Sequence, residues 1–147
     1  MKFLSILIIF FLFEGSPQWT SDFDKAKTDA VQNNKCIIIN FSGSDWCGPC
    51  IKLKKEVLDS PEFLEYASKK LALVRADFPR LKRNQLDKKQ TAINEGLADK
   101  YNQEGKFPLT VLIDAKGTVL KEWDGYPAGI TPTLFIQEVE KIVSHRK

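Results

Sequence analysis

The chain has 147 residues, 43% of them hydrophobic, which is enough apolar material for the core of one domain and not for two. Its 22 Lys and Arg against 19 Asp and Glu leave a formal charge of +3, with the two signs interleaved along most of the chain. That balance argues against nucleic acid as a partner.

Residues 1–16 differ in kind from the rest of the chain. Met1-Lys2 leads into an apolar run from Phe3 to Phe13, too short to cross a bilayer as a helix. The segment reads as a secretory signal, with residues 17–147 as the exported domain. Phe13-Glu14-Gly15-Ser16-Pro17 lacks a clean small-x-small cleavage pattern, so retention at a membrane surface stands as the alternative.

From Phe23 to about Asn33 a helix is expected, with Phe23, Ala26, Ala30 and Val31 on one face and Ser21 or Thr20 as its cap. Asn33-Asn34-Lys35 breaks it. Ile37 to Phe41 is an unbroken β-branched and aromatic run, the pattern of a strand covered on both faces. Cys36, opening that run, reads as a small buried hydrophobe. Ser42-Gly43-Ser44 then turns the chain into Asp45-Trp46-Cys47-Gly48-Pro49-Cys50 and a helix through Ile51, Leu53, Val57 and Leu58.

Two cysteines at this spacing share one face of a helical turn, so their sulfurs can close a small disulfide. Cys47 falls at the helix start, where unpaired N–H groups favour a thiolate, and Cys50 one turn in should be the more buried. Cys47 would attack a target disulfide and Cys50 would resolve the mixed disulfide. A structural disulfide and half of a zinc site are the alternatives. For zinc, the remaining Cys36 and His145 form no second close pair, so no metal is expected and His145 reads as an ordinary exposed side chain.

Ser60-Pro61, with Glu62 behind it, starts a second helix, and Leu71 to Asp77 forms the next strand. Arg80 to Lys89 holds five cations against Asp87 alone and reads as a solvated face, with docking to an acidic partner as the alternative. Leu86, Ile93, Leu97 and Tyr101 predict a helix from about Asn84 to Tyr101. Leu109–Asp114 and Thr118–Trp123, joined by Ala115-Lys116-Gly117, form an antiparallel hairpin. Asp124-Gly125-Tyr126-Pro127 is a loop, and a closing helix starts at Thr131-Pro132.

With Trp46-Cys47-Gly48-Pro49-Cys50 and Phe107-Pro108 both placed, the chain resembles the thioredoxin family over residues 19–145, closest in look to exported bacterial disulfide reductases. The resemblance implies an α/β fold with a central mixed sheet of about four strands flanked by helices. An extra N-terminal helix and a lengthened helical segment before the proline motif complete it. It further implies a cis bond before Pro108, which with Phe107 shapes a substrate groove. There an extended peptide lies as an added strand. Gly48 and Pro49 set the loop between the sulfurs, Trp46 supports it, and Gly125, Tyr126 and Pro127 turn and rim the same face.

Two departures stand out. The family's buried aspartate is replaced by Asn40, and an amide cannot take a proton from the second cysteine. Asp45 reads as a turn residue rather than its substitute. Lys55 stands where the family has a kinking proline, so a straighter active-site helix is expected.

The function these features imply is an exported, periplasmic thiol-disulfide oxidoreductase that reduces protein disulfides. It would act as a monomer, without a cofactor beyond the Cys47/Cys50 pair, and with a membrane electron donor. A peptide-binding or chaperone module with regulatory cysteines, and a disulfide isomerase or oxidase, are the competing readings.

Overall fold

The computed structural model describes residues 18–145; the expected secretory segment at residues 1–16 lies outside the described residues. Four strands form one mixed sheet in the order β2-β1-β3-β4. β1 (Cys36–Ser42) runs parallel to β2 (Leu71–Asp77) and antiparallel to β3 (Leu109–Ile113), which pairs antiparallel with β4 (Val119–Asp124). Every residue of β1 is buried, as its unbroken apolar run predicts for a central strand.

Alternation along the strands sorts the core into two layers. Ile37, Ile39 and Phe41 meet Ala26 and Ala30 of α1 (Phe23–Gln32) and Leu97 and Tyr101 of α4 (Lys88–Tyr101). Cys36 and Ile38 face the other way, onto α2 (Gly48–Leu53), α3 (Pro61–Lys70) and α5 (Pro132–Val143). The thiol of Cys36 is thus buried in this second layer, outside any disulfide.

The helix starts show where local chemistry suffices. Ser60 and Thr131 each accept an N–H from the third residue on, with proline in the first turn. In α1 the cap is Asp22, whose carboxylate accepts the Lys25 N–H, and not Ser21 or Thr20; Thr20 is drawn into a bridge with Val74 instead. Val31 is not a core residue but 64% exposed, because α1 buries only the narrow Ala26/Ala30 stripe.

Two expectations about helices are corrected. α4 starts at Lys88 with Asp87 as its cap; Asn84 belongs to a single 3-10 turn, Lys82–Asn84, because its side chain is engaged elsewhere. The active-site helix is not a straight continuation. After Leu53 it widens into a π turn at Lys54–Leu58, which brings the consecutive Val57 and Leu58 both into the core. Lys54, at the start of this turn, is half-buried and paired with Asp59.

Candidate functional site

The parallel pairing of β1 and β2 places Ser42 beside Asp77, so the segments leaving both strands emerge together. Phe78 donates its N–H to the Ser42 carbonyl at 2.8 Å, extending that pairing. Asp77 then accepts the Ser44 N–H at 2.9 Å and its hydroxyl at 2.5 Å. The turn closes when Cys47 donates its N–H to the Gly43 carbonyl at 2.9 Å. A turn held at both strands delivers the first cysteine in a defined position.

Cys47 and Cys50 are joined, with an S–S distance of 2.03 Å. Cys47 is the N-cap of α2: its backbone is extended, and its Sγ accepts the Cys50 N–H at 3.3 Å. In the reduced protein that same N–H is positioned to stabilise a thiolate at Cys47. Cys50 is 2% exposed and Cys47 5%, while Gly48 and Pro49 between them face solvent. The space over Gly48 is open: a Cβ built there would touch nothing.

Trp46 is fixed from four directions. Its indole N–H donates to the Phe78 carbonyl at 2.7 Å, its ring meets Phe107 edge-on at 5.4 Å, and the Arg80 guanidinium lies 3.7 Å over its face. Gly43 lies against the ring, where a Cβ would come within 2.3 Å of Cε2. Gly43→Ala should therefore push the indole off the Phe78 carbonyl and cost about 2 kcal/mol through overpacking. Thermal unfolding and the indole N–H resonance read the two effects. An unmoved resonance would show that Trp46 is not wedged.

The Phe107–Pro108 peptide is cis, and the Pro108 carbonyl accepts the Gly125 N–H at 2.8 Å. Phe107 also meets Phe78 at 5.4 Å, so Trp46, Phe107 and Phe78 form one aromatic ledge. Tyr126 packs on the active-site helix, its phenol donating to Glu56 at 2.5 Å and its ring lying 5.8 Å from the Lys52 ammonium. The bond to Glu56, with lesser desolvation, raises the Tyr126 pKa above its ordinary value.

Asp45 anchors the segment that follows β2. Its carboxylate accepts the N–H groups of Arg80 at 2.9 Å and Leu81 at 3.0 Å and the Asn84 amide at 3.0 Å. The Arg80 N–H most of all, with help from Asn84 and Leu81, holds its pKa below the usual carboxylate range against an opposing desolvation second only to the Arg80 bond. No local pattern ties Phe78, Arg80 and Asn84 to Asp45 and Trp46; each contact spans more than 30 residues.

Beneath the helix, Asn40 is 2% exposed and donates to the Thr110 hydroxyl at 3.1 Å. It alternates with Cys36 and Ile38, so it lies on the sheet face that α2 covers. Its strand neighbour Arg75 is stacked 4.5 Å over Trp19 and lies 3.6 Å from Asp59, and burial, opposed by that carboxylate, lowers its pKa. Asn40→Asp would install a proton acceptor here. Resolution of a mixed disulfide should then speed up by roughly tenfold in single-turnover stopped flow. Rates equal to wild type between about pH 6 and about pH 9 would remove a carboxyl here from the account.

The thioredoxin-like family model matches residues 18–115, more than half of the chain. This chain belongs to the thioredoxin-like family. It is 38% identical over 112 residues to the disulfide bond reductase DsbH of Chlamydia pneumoniae, an alignment covering 76% of this chain and 65% of that protein. To the thioredoxin-related protein DsbJ of the same organism it is 38% identical over 60 residues, covering 41% of this chain and 17% of DsbJ. The alignments thus span less than two thirds of either relative. Among solved structures, the DsbH oxidoreductase superposes with a TM-score of 0.79 at 29% identity, covering 99% of this chain and 96% of that one. The C-terminal domain of Neisseria meningitidis DsbD in its oxidised form has a TM-score of 0.57 at 16% identity over 81% of this chain and 90% of its own, a likeness of fold. The mixed sheet with helices on both faces is the thioredoxin fold.

Proposed function

We propose that this chain is an exported thiol-disulfide oxidoreductase that reduces disulfides in proteins, with Cys47 as nucleophile and Cys50 as resolving thiol. The observation that carries the reading is Cys47 as the N-cap of α2, its sulfur accepting the Cys50 N–H beside an exposed Gly48. The likeness to DsbH, named a disulfide bond reductase, supports both the chemistry and its reductive direction.

In the reduced protein the Cys47 thiolate attacks one sulfur of the substrate disulfide. A Cys47–substrate S–S bond forms, and the other substrate sulfur leaves as a thiolate that takes up a proton. Cys50 loses its proton and attacks the Cys47 sulfur; the Cys47–Cys50 bond forms, and the second substrate sulfur is released and protonated. The substrate gains two electrons and the protein gives them up. No cofactor is needed, since the two sulfurs hold the electrons.

Phe107 and Pro108 offer the edge along which an extended substrate segment lies, and Trp46 holds the approach open. Glycine and proline between the cysteines keep the loop short and exposed. The apolar run from Phe3 to Phe13 supports export to the periplasm, or anchoring at its membrane if retained. A membrane dithiol donor would restore the reduced state. No helix among the described residues is long and apolar enough to cross a membrane.

With dithiothreitol as electron source, wild-type protein should accelerate insulin reduction, and Cys50→Ser should accumulate an insulin adduct on Cys47, visible by mass spectrometry. Absence of both turnover and adduct would overturn the proposal.

A further inference from the structure

The segment from the end of β2 into the first turn of α4 carries charge that no described carboxylate neutralises. Arg80, Lys82, Arg83, Lys88 and Lys89 are all exposed, and none makes an ion pair with a described residue. Three carboxylates that hold or flank the segment are engaged with other groups. Asp45 holds the N–H groups of Arg80 and Leu81, Asp77 holds Ser44, and Asp87 caps α4 through the Gln90 N–H. Each of these contacts fixes backbone and leaves the cationic side chains facing water.

This charge is tied to the redox pair. The segment is anchored on Asp45, two residues before Cys47, and its first cation lies on the ring of Trp46, the residue next to Cys47. A cleft of about 300 Å³ opens beside the segment, with Phe78, Pro79 and Leu86 as its apolar part and Asp77, Gln85, Thr91 and Asn94 as its polar part. A solvated face needs neither the three-point anchor nor the stacked arginine.

We propose that the segment from Arg80 to Lys89 is a docking surface for acidic residues flanking the disulfide of the protein substrate. The proposal rests on the reductase reading and specifies its substrate class: proteins whose reducible cysteines lie beside Asp or Glu. A fixed cluster of like charges at the mouth of a site raises the encounter rate of oppositely charged partners, and salt screens the effect.

The test uses two disulfide-bridged peptides that differ only in flanking residues, Glu and Asp in one and Gln and Asn in the other. At about 10 mM salt, wild-type protein should reduce the acidic peptide about ten times faster than the neutral one, and the ratio should fall toward one at about 500 mM. Lys82→Glu with Arg83→Glu leaves the Asp45 anchor untouched and should bring the low-salt ratio to one or below. Lys69→Glu with Lys70→Glu, on α3, changes the net charge equally and should keep the preference. Because the readout is a ratio, a general loss of activity cancels.

Ser-for-Cys versions of both peptides, titrated into the oxidised protein, read docking whether or not electrons move. The acidic one should shift the amide resonances of residues 80–89, and the neutral one should not. Equal rates at low salt with no such shifts would overturn the proposal, as would a preference surviving the charge reversal. Sedimentation with phosphatidylglycerol vesicles combined with equal peptide rates would assign the patch to a membrane surface and overturn it too. Reduction of neither peptide, with the shifts present, would sink the reductase reading and leave the docking surface standing.

Discussion

Cys47→Ser should lower insulin-reducing turnover by about a thousandfold or more, the largest effect expected of any single substitution here. In the proposed mechanism every electron passes through this sulfur, and a serine hydroxyl is not ionised at neutral pH. Cys36 cannot stand in for it: that thiol is fully buried at the start of β1, about 20 Å of strand from the turn at Ser42. The loss should not come from unfolding. The disulfide closes a loop with a sequence separation of only 3, which stabilises by roughly 2 kcal/mol at most in the chain-entropy account. A circular dichroism spectrum like that of the wild type, together with lost turnover, is the expected pair of results. Turnover within a few-fold of wild type would move the nucleophile elsewhere.

The largest stability effect is expected at Phe63. It is fully buried in the first turn of α3, with ring centroids 6.5 Å from Trp19 and 5.5 Å from Phe135. It therefore joins the N-terminal segment, α3 and α5 on the face of the sheet that also packs α2. Phe63→Ala should cost about 4 kcal/mol, through lost burial and the cavity left behind, and lower the melting temperature by roughly 15 °C. Phe63→Leu, which refills most of the volume, should lose much less. Equal melting temperatures for Phe63→Ala and wild type would show that the three elements are held together by something other than this ring. Ser60 is left unchanged by either substitution, so the cap of α3 does not confound the comparison.

The element order and the redox pair were legible in the residues because both are local. Alternation and helical spacing repeat within a few residues, and Ser60-Pro61 or Thr131-Pro132 mark a helix start by their own hydrogen bonds. The likeness to thioredoxins likewise rests on Trp46 through Cys50 and on Phe107-Pro108, short stretches whose chemistry is carried by residue type. Where two local signals competed, the reading erred. Asn84 lies just ahead of the apolar spacing that begins at Leu86, yet its amide is held by Asp45, and α4 waits for the cap at Asp87.

What the amino-acid order determined by itself was therefore the cysteine pair Cys47 and Cys50 and the strands and helices that carry it. Tertiary structure alone decided that Trp46 would be wedged between Gly43 and Arg80, that Asp45 would hold a basic strap rather than a proton, and that Phe78 would join Phe107 in one ledge. The reason is distance along the chain. Asp45 and Trp46 lie more than 30 residues from Phe78, Arg80 and Asn84 and meet them only because β1 and β2 pair in parallel with Ser42 opposite Asp77, a register set by the burial of both strands and not by any residue in the loops it brings together.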